Sequence, residues 1–244
     1  LGMTLIPGGS FTMGKQDEDP LATMNAPTRT VTVQPYYMDE TEITNSEYKQ
    51  FVFWVRDSIT RMKLAYQAEL AVGAPDPGTT GGGDAVGIQR FAFASTDTTN
   101  QSAYQKYMIE NYYDLGEGLD SLKPLNWEEE LIWDKNEYPD VDYVEVLDSL
   151  YIKKDEALDG VRTFNTKYLN YRFSWFDNVQ AARKGKNRKD FLKHEAVNVF
   201  PDTTVWIKDF NYSYNDPMHQ EYFAHQAYEE YPVVGVTWDQ ARAF

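Results

Sequence analysis

Hydrophobic residues recur at intervals of three and four along one early stretch of the chain, the pattern of an amphipathic helix. Thr44 precedes this stretch and Glu47 stands three residues later, the spacing of a capping box. The sequence therefore predicts a helix that begins after Thr44 and ends near Leu70. Its apolar stripe is formed by Tyr48, Phe51, Val52, Val55, Ile59, Met62 and Tyr66.

Shorter alternating patterns predict strands on both sides of this helix. Residues 5–14 have the pattern of a strand, a glycine turn and a second strand. Residues 29–34 alternate with period two, which is typical of a half-buried strand, and residues 36–39 continue it as extended chain. Further strands are predicted at residues 143–147, 196–200, 204–210 and 233–236.

Later parts of the chain mix helical and irregular character. Helices are predicted at residues 102–113 and 125–133, and a short one after Thr237, with Gln240 in the capping-box position. Residues 72–87 hold six of the 15 Gly and two of the 11 Pro, which predicts a flexible loop. Because helices and strands do not alternate regularly, the sequence favours an α+β fold over a doubly wound sheet.

Composition excludes several classes of chemistry and of partner. The 244 residues contain no Cys, so this chain has no thiol nucleophile, thiolate metal site or disulfide. A net charge of −15 makes nucleic acid a poor partner. The basic run at residues 183–189 is the local exception. We interpret it as a solvated loop, with a docking patch for an acidic partner or lipid headgroups as the alternative.

No catalytic, cofactor-binding or metal-binding residue is predicted. His219 and His225 stand six apart, which matches no helical ligand spacing, and His194 is distant from both. The carboxylates of Asp140 and Asp142 are compatible with a weak calcium site, but a solvated acidic loop is the preferred interpretation.

Three segments resemble the formylglycine-generating-enzyme (sulfatase-modifying factor) domain family. They are residues 2–14, with the glycine turn; residues 37–51, with the strand-to-helix sequence Glu42-Ile-Thr-Asn45; and residues 231–243, with Pro232-Val-Val-Gly-Val-Thr-Trp238. The resemblance implies a formylglycine-generating-enzyme-like, C-type-lectin-related fold. Residues 1–244 would then form one incomplete domain, the N-terminal part, with a large family-specific insertion at residues 72–230.

Other segments are similar to a narrower group, the gliding-motility lipoprotein K proteins (GldK/PorK). They are residues 51–59, 201–210 and 212–218. This similarity implies a lipoprotein at the periplasmic face of the outer membrane, with no cofactor. It would be a structural subunit of a type IX secretion and gliding ring, and would bind a GldN/PorN-type periplasmic protein and further copies of itself.

Two other functions remain open at this point. The family's enzymes carry their catalytic cysteines in the later half of the domain, so one alternative is an oxidase of which this chain is the non-catalytic part. Two suitably placed Cys after Phe244 would favour it. The other alternative is a carbohydrate-binding module. As partner-binding candidates we select four tryptophans of the insertion, which would be either core or interface anchors: Trp127, Trp133, Trp175 and Trp206.

Overall fold

The computed structural model describes residues 2–14, 26–73, 87–93, 102–108, 125–157, 160–183, 187–209 and 221–244. Most of the predicted flexible loop at residues 72–87 lies outside these ranges. So do His219, residues 184–186 of the basic run, and the second half of the helix predicted at residues 102–113. Its first half is helix α2, Ala103–Met108.

The long predicted helix is confirmed as α1, Asn45–Gly73. Its capping box is also confirmed. The Glu47 carboxylate accepts from the Thr44 N–H at 2.9 Å, and the Glu47 N–H donates to the Thr44 hydroxyl at 3.3 Å. The apolar stripe packs inward along the helix, with Tyr48 1%, Val55 2% and Leu64 0% exposed. Helix α1 is the element against which the other buried segments pack.

Four short strands before α1 form two antiparallel pairs. Strand β1, Met3–Ile6, pairs with β4, Tyr36–Asp39, and strand β2, Gly9–Met13, pairs with β3, Arg29–Val33. These bounds confirm the strands predicted near the amino terminus. All residues of β2 and β4 are exposed in the described chain.

The second half of α1 builds one hydrophobic cluster with helix α3, Val141–Ser149, and a single 3₁₀ turn at Ile88–Phe91. The cluster joins Leu64, Ala68, Ile88, Phe91, Tyr143, Val146 and Leu147. Asp140 caps α3, since its carboxylate accepts from the Tyr143 N–H at 2.7 Å and from the Ile88 N–H at 2.6 Å. This carboxylate therefore has a structural role and holds the 3₁₀ turn against α3.

The first half of α1 packs on a hairpin of β5, Asn170–Phe176, and β6, Leu192–Asn198. The shared cluster contains Tyr48, Val52, Val55, Leu169, Val199 and Phe223. The Tyr48 hydroxyl donates to the Val199 carbonyl at 2.9 Å, and burial raises the pKa of Tyr48 to about 12. Residues of the predicted insertion thus supply five of the seven buried members of the first cluster and three of the six of the second.

Three short helices lie around this hairpin in the described part of the chain. Helix α4, Asn178–Arg183, follows β5, and α5, Val205–Asp209, follows β6. Helix α6, Trp238–Ala243, begins with the predicted Thr237–Gln240 capping box, which is confirmed. The Gln240 amide also donates to the Asn198 and Phe200 carbonyls, at 2.8 and 2.9 Å, and so joins α6 to the end of β6.

Four secondary-structure predictions were wrong. Residues 143–147 belong to helix α3 and residues 205–209 to helix α5, although both were predicted as strands. The helix predicted at residues 125–133 is irregular chain, because its tryptophans are drawn onto α1. The strand predicted at residues 233–236 is reduced to one bridge, between Thr44 and Pro232.

Candidate interaction surface

Helix α1 carries two large aromatic side chains outside its buried stripe. Phe53 is 48% exposed and Trp54 is 46% exposed. They follow directly after Val52, whose side chain is buried, because one residue step turns an α-helix by about 100° and so carries the next side chains off the buried face. An amphipathic helix normally places polar residues there. The exposed side of α1 is therefore unusually aromatic at this point.

The indole of Trp54 stacks on that of Trp127. The ring centroids lie 6.0 Å apart and the planes differ by 3°. The edge of Tyr171, on β5, meets the Trp54 ring at 5.7 Å. Aromatic pairs at such distances contribute about 0.5–1.5 kcal/mol beyond their burial. Trp127 is still 46% exposed, so the stacked pair is ordered and partly open to solvent.

Arg61 fixes the segment that carries Trp127. Its guanidinium lies 5.0 Å from the centroid of the Trp127 ring, and its Nη1 donates to the Asn126 carbonyl at 2.6 Å. The Arg61 residue is 7% exposed, and burial lowers its pKa while nearby Asp57 acts in the opposite direction. Arg61 thus binds the irregular segment 125–133 to α1 with one hydrogen bond and one cation–π contact.

Arg56 holds Trp133 of the same segment against α1. Its guanidinium lies 4.1 Å from the Trp133 ring centroid and 4.8 Å from that of Phe53. An ion pair of 2.8 Å with Asp57 orients it. Two arginines one and a half turns apart on α1 therefore each hold one tryptophan of the same segment. We call this group the aromatic–arginine surface, formed by Phe53, Trp54, Arg56, Arg61, Trp127 and Trp133.

The four tryptophans selected from the sequence do not form one site. Trp127 and Trp133 are joined on the aromatic–arginine surface. Trp175, on β5, has the guanidinium carbon of Arg242 3.3 Å from its ring centroid. The ring centroid of Trp206, on α5, lies 5.5 Å from that of Tyr222. Trp133 packs against the cluster at the second half of α1, whereas the other three tryptophans are not members of either cluster.

The sequence analysis missed four members of this surface: Phe53, Trp54, Arg56 and Arg61. The available signal was the placement of two adjacent aromatic residues beside the apolar stripe of α1. Arg56 and Arg61 lie outside the predicted apolar stripe, where the polar face of a helix normally carries solvated charges. Their pairing with Trp127 and Trp133 depends on a long-range contact that periodicity does not reveal.

The histidines and carboxylates of the described ranges do not gather into a metal site. Within the described ranges, no group of three or more His, Asp or Glu side chains could hold a metal ion. His194 Nδ1 lies 2.8 Å from the Ser174 hydroxyl on an exposed hairpin face, and His225 Nδ1 accepts from the Ala227 N–H. A cleft of about 500 Å³ at the start of α1 is lined by Glu42, Glu47 and Glu230, but Glu47 is engaged in the capping box.

The length of α1 does not reflect a membrane-spanning segment. Among the helices that the structure describes, none is both long enough and apolar enough to cross a bilayer. Charged side chains such as Arg56 and Lys63 recur along α1. Many of its apolar residues pack in the two hydrophobic clusters.

Comparison with known proteins places the chain in a family. The family model of the Sulfatase-modifying factor enzyme 1-like domain matches residues 1–244. The formylglycine-generating enzyme of Mus musculus is 44% identical over 50 residues, which cover 20% of this chain and 13% of the mouse protein. That of Bos taurus is 42% identical over 50 residues, with the same coverage.

The matched stretch is thus a small part of either enzyme, and no solved structure matches significantly. The family model, in contrast, extends over all of the residues. The α+β arrangement of helices and small antiparallel sheets agrees with that assignment. The chain therefore belongs to the Sulfatase-modifying factor enzyme 1-like domain family.

Proposed function

We propose that this protein is a structural subunit that binds other proteins and uses a formylglycine-generating-enzyme-like, C-type-lectin-related domain as its framework. Its setting would be the periplasmic ring of the type IX secretion and gliding machinery, with a lipid anchor in the outer membrane. The partners would be a GldN/PorN-type protein and further copies of itself. The setting rests on the resemblance to the lipoprotein K group, and the binding role rests on the aromatic–arginine surface.

The composition of this surface supports a role in protein binding. Trp, Tyr and Arg are the residue types that dominate energetic hot spots in protein interfaces. Here Trp54 and Trp127 expose nearly half of their area while Arg61 and Tyr171 hold them in place. An ordered anchor loses little conformational entropy when a partner covers it, so it contributes more of its burial energy to affinity. This observation carries the proposal.

The alternative is a formylglycine-generating-type oxidase, and family membership is the observation that favours it. The mouse and bovine relatives are named as formylglycine-generating enzymes. The thiol chemistry of the family would have to come from residues other than these 244, which contain no Cys. The test is an assay of the full-length protein for cysteine-dependent oxidation of a sulfatase-type peptide. A positive result would support this alternative.

The main experiment is mild detergent extraction from native cells, followed by size-exclusion chromatography and mass spectrometry. We expect wild-type protein to elute at very high mass with one dominant periplasmic partner. The double variant Trp54→Ala/Trp127→Ala should lose that partner, because the stacked pair would be the anchor of the contact. A monomer-sized wild-type peak would overturn the scaffold proposal.

A matched control separates partner binding from general loss of aromatic surface. Trp238 is 71% exposed on α6, away from the aromatic–arginine surface. Trp238→Ala should retain the partner. The unfolding midpoints of all variants should be measured first, so that loss of the partner in a folded variant can be assigned to the surface. If Trp54→Ala/Trp127→Ala retains the partner as well as Trp238→Ala does, this surface is not the contact.

A further inference from the structure

The acidic chain carries one strongly basic region at the end of the β5–β6 hairpin. Residues 178–193 contain six Lys or Arg and one Asp, a net charge of +5 in a protein whose total is −15. Helix α4 and the 3₁₀ turn at Arg188–Phe191 lie together at this end, joined by the Asp177 N–H donating to the Phe191 carbonyl at 2.9 Å. We call the described residues of this region, 178–183 and 187–193, the basic tip.

The charges of the basic tip are not neutralised within the described chain. Arg183, Arg188, Lys189 and Lys193 are exposed, and no described carboxylate lies within ion-pair distance of any of them. Arg188 instead lies 5.6 Å from the ring centroid of Phe176. Two aliphatic side chains are exposed in the same region, Val179 at 60% and Leu192 at 45%. Unpaired charges around exposed aliphatic residues resemble one half of an interface, with an apolar centre and a charged rim.

A surface of opposite charge lies elsewhere in the chain. Residues 128–148 contain nine Asp or Glu and one Lys, a net charge of −8. Helix α3 supplies part of it: Val141 is 72% exposed and Val144 41% exposed on the side opposite its buried residues, with Glu145 exposed beside them. We call residues 128–148 the acidic segment. Glu128, Glu130 and Glu137 are exposed as well, whereas Asp140 caps α3 and Asp148 lies 3.5 Å from Arg162.

The two surfaces stand on different parts of the fold. The acidic segment packs on the second half of α1 through Tyr143, Val146 and Leu147. The hairpin packs on the first half of α1 near its base, through Leu169 and Tyr171. The basic tip is at the other end of β5, and the six residue steps from Asn170 to Phe176 span roughly 20 Å. No ion pair joins the basic tip to the acidic segment within the described residues, so both surfaces remain open to a second copy.

From these observations we infer that the basic tip of one copy of this protein docks on the acidic segment of the next copy. Charge complementarity selects the occupant, because the same chain supplies both members of the pair and each has exposed aliphatic residues to bury. The contact joins two different patches and is therefore heterologous, which leaves a pair of copies with a free tip on one copy and a free acidic segment on the other. Repetition of such a contact closes into a ring or continues as a filament.

This inference specifies the contact between copies in the proposed scaffold, and to that extent it rests on the proposed function. An anionic membrane is the competing occupant of a basic tip, since Lys and Arg near its surface are attracted to lipid headgroups. The acidic segment on the same chain favours a second copy as the occupant of the basic tip. An anionic membrane would have no contact for the acidic segment to make, and the net charge of −15 would repel the protein from its surface.

The test is a charge swap on the full-length protein, followed by sedimentation equilibrium. We expect wild-type self-association to weaken at least tenfold between about 0.05 M and about 0.5 M NaCl. Lys189→Glu/Lys193→Glu should weaken it at least tenfold at low salt, and so should Glu137→Lys/Glu145→Lys. A mixture of the two variants should also fail to grow beyond a dimer, because only one productive contact remains between them. The quadruple variant should not recover self-association, because its acidic segment still has a net charge of −4 and its tip has lost four units of positive charge.

A control keeps the test specific to position. Arg29→Glu/Arg172→Glu makes the same change in net charge on exposed residues outside both the basic tip and the acidic segment. It should leave self-association within about twofold of wild type, since exposed charges outside the contact are largely screened. The inference is overturned if wild-type protein stays monomeric at low salt, if the control weakens association as much as the tip variant, or if the mixture of the two variants forms no dimer.

Two further readouts distinguish the contact between copies from membrane binding and from the proposed scaffold function. Salt-sensitive binding to phosphatidylglycerol-containing vesicles that is lost in Lys189→Glu/Lys193→Glu, without self-association, would assign the tip to a membrane and overturn the inference. If the protein is monomeric when purified but elutes from native cells at high mass with a periplasmic partner, the contact between copies is wrong and the scaffold function stands. If the protein has oxidase activity and also shows salt-sensitive self-association, the contact between copies stands and the scaffold function is wrong.

Discussion

The Tyr143 hydroxyl binds both backbone polar groups of Ile132. It donates to the Ile132 carbonyl oxygen at 2.9 Å and accepts from the Ile132 N–H at 2.9 Å. Tyr143 is fully buried on α3, and Ile132 lies one residue before Trp133 of the aromatic–arginine surface. One core side chain therefore substitutes for the secondary structure that the irregular segment 125–133 lacks. The order of the exposed tryptophans depends on this contact as well as on Arg56 and Arg61.

Replacement of this tyrosine tests how much the contact stabilises. Tyr143→Phe keeps the ring and leaves the Ile132 N–H and carbonyl without their partner, so we expect a loss of about 1–3 kcal/mol in the free energy of unfolding. Urea unfolding would measure it. Tyr168→Phe is the matched control, because Tyr168 is 42% exposed and its hydroxyl has no hydrogen bond, and it should change stability by less than about 0.5 kcal/mol. Equal effects of the two substitutions would contradict this account.

The sequence revealed elements whose signals are local. Thr44 and Glu47 are three residues apart and predict the start of α1 without any tertiary contact, and Thr237 and Gln240 do so for α6. Both capping boxes form as predicted. Their hydrogen bonds lie within one turn, so the residues that form them can be identified along the sequence.

Predictions failed where short apolar runs satisfy two periodicities. Residues 143–147 alternate, yet Tyr143, Val146, Leu147 and Leu150 are the buried positions, with helical spacings of three and four. Asp140 was a usable signal for a helix, because a residue that caps α3 stands directly before it. Within five residues the two patterns cannot be separated without such a flanking cap.

The aromatic–arginine surface could not be predicted from sequence. Trp54 and Trp127 are 73 positions apart, and their pairing depends on how the segment 125–133 is anchored by Arg61 and Tyr143. The tryptophans themselves were identifiable as candidates by residue type. Which of them share a surface depends on long-range packing. That packing places Trp127 and Trp133 on one surface and Trp175 and Trp206 elsewhere.

Stability at alkaline pH should report the two buried tyrosines. Burial raises the pKa of Tyr48 and of Tyr143 to about 12, compared with about 10 in the unfolded chain. Between these values the unfolded state loses the proton and the folded state keeps it, so stability falls as pH rises from about 10 to about 12. Each tyrosine should contribute roughly 2–3 kcal/mol to the fall. Urea unfolding across this pH range would measure it.

Single substitutions test the assignment of that pH dependence. Tyr48→Phe and Tyr143→Phe should each reduce the slope of stability against pH above about pH 10 by close to half, even though each variant starts from a lower stability. If the slope persists in a double Tyr48→Phe/Tyr143→Phe variant, other groups cause the alkaline transition.

The capping box of α1 can be tested with one pair of substitutions. Thr44→Ala removes the hydroxyl that accepts from the Glu47 N–H and donates to its carboxylate, and should cost about 1 kcal/mol of stability. Thr44→Ser retains the hydroxyl and should cost much less. Thermal or urea unfolding distinguishes them, and a Ser variant as unstable as the Ala variant would show that methyl packing, and not capping, is what Thr44 provides.

Gly235 approaches the backbone of Asp202 more closely than any other residue type allows. Its φ is +75°, and an added Cβ would lie 2.2 Å from the Asp202 carbonyl oxygen, while the Gly235 carbonyl accepts from the Asp202 N–H at 2.8 Å. Gly160 has a similar φ of +68° but no atom within 4 Å of the Cβ position. Gly160→Ala should therefore cost only the left-handed backbone strain, about 1–2 kcal/mol. Gly235→Ala should cost at least about 1 kcal/mol more, because the clash is with backbone and cannot be relieved by a side-chain rotation. Urea unfolding of the two variants measures the difference, and equal costs would mean that the chain around Asp202 yields to the added methyl group.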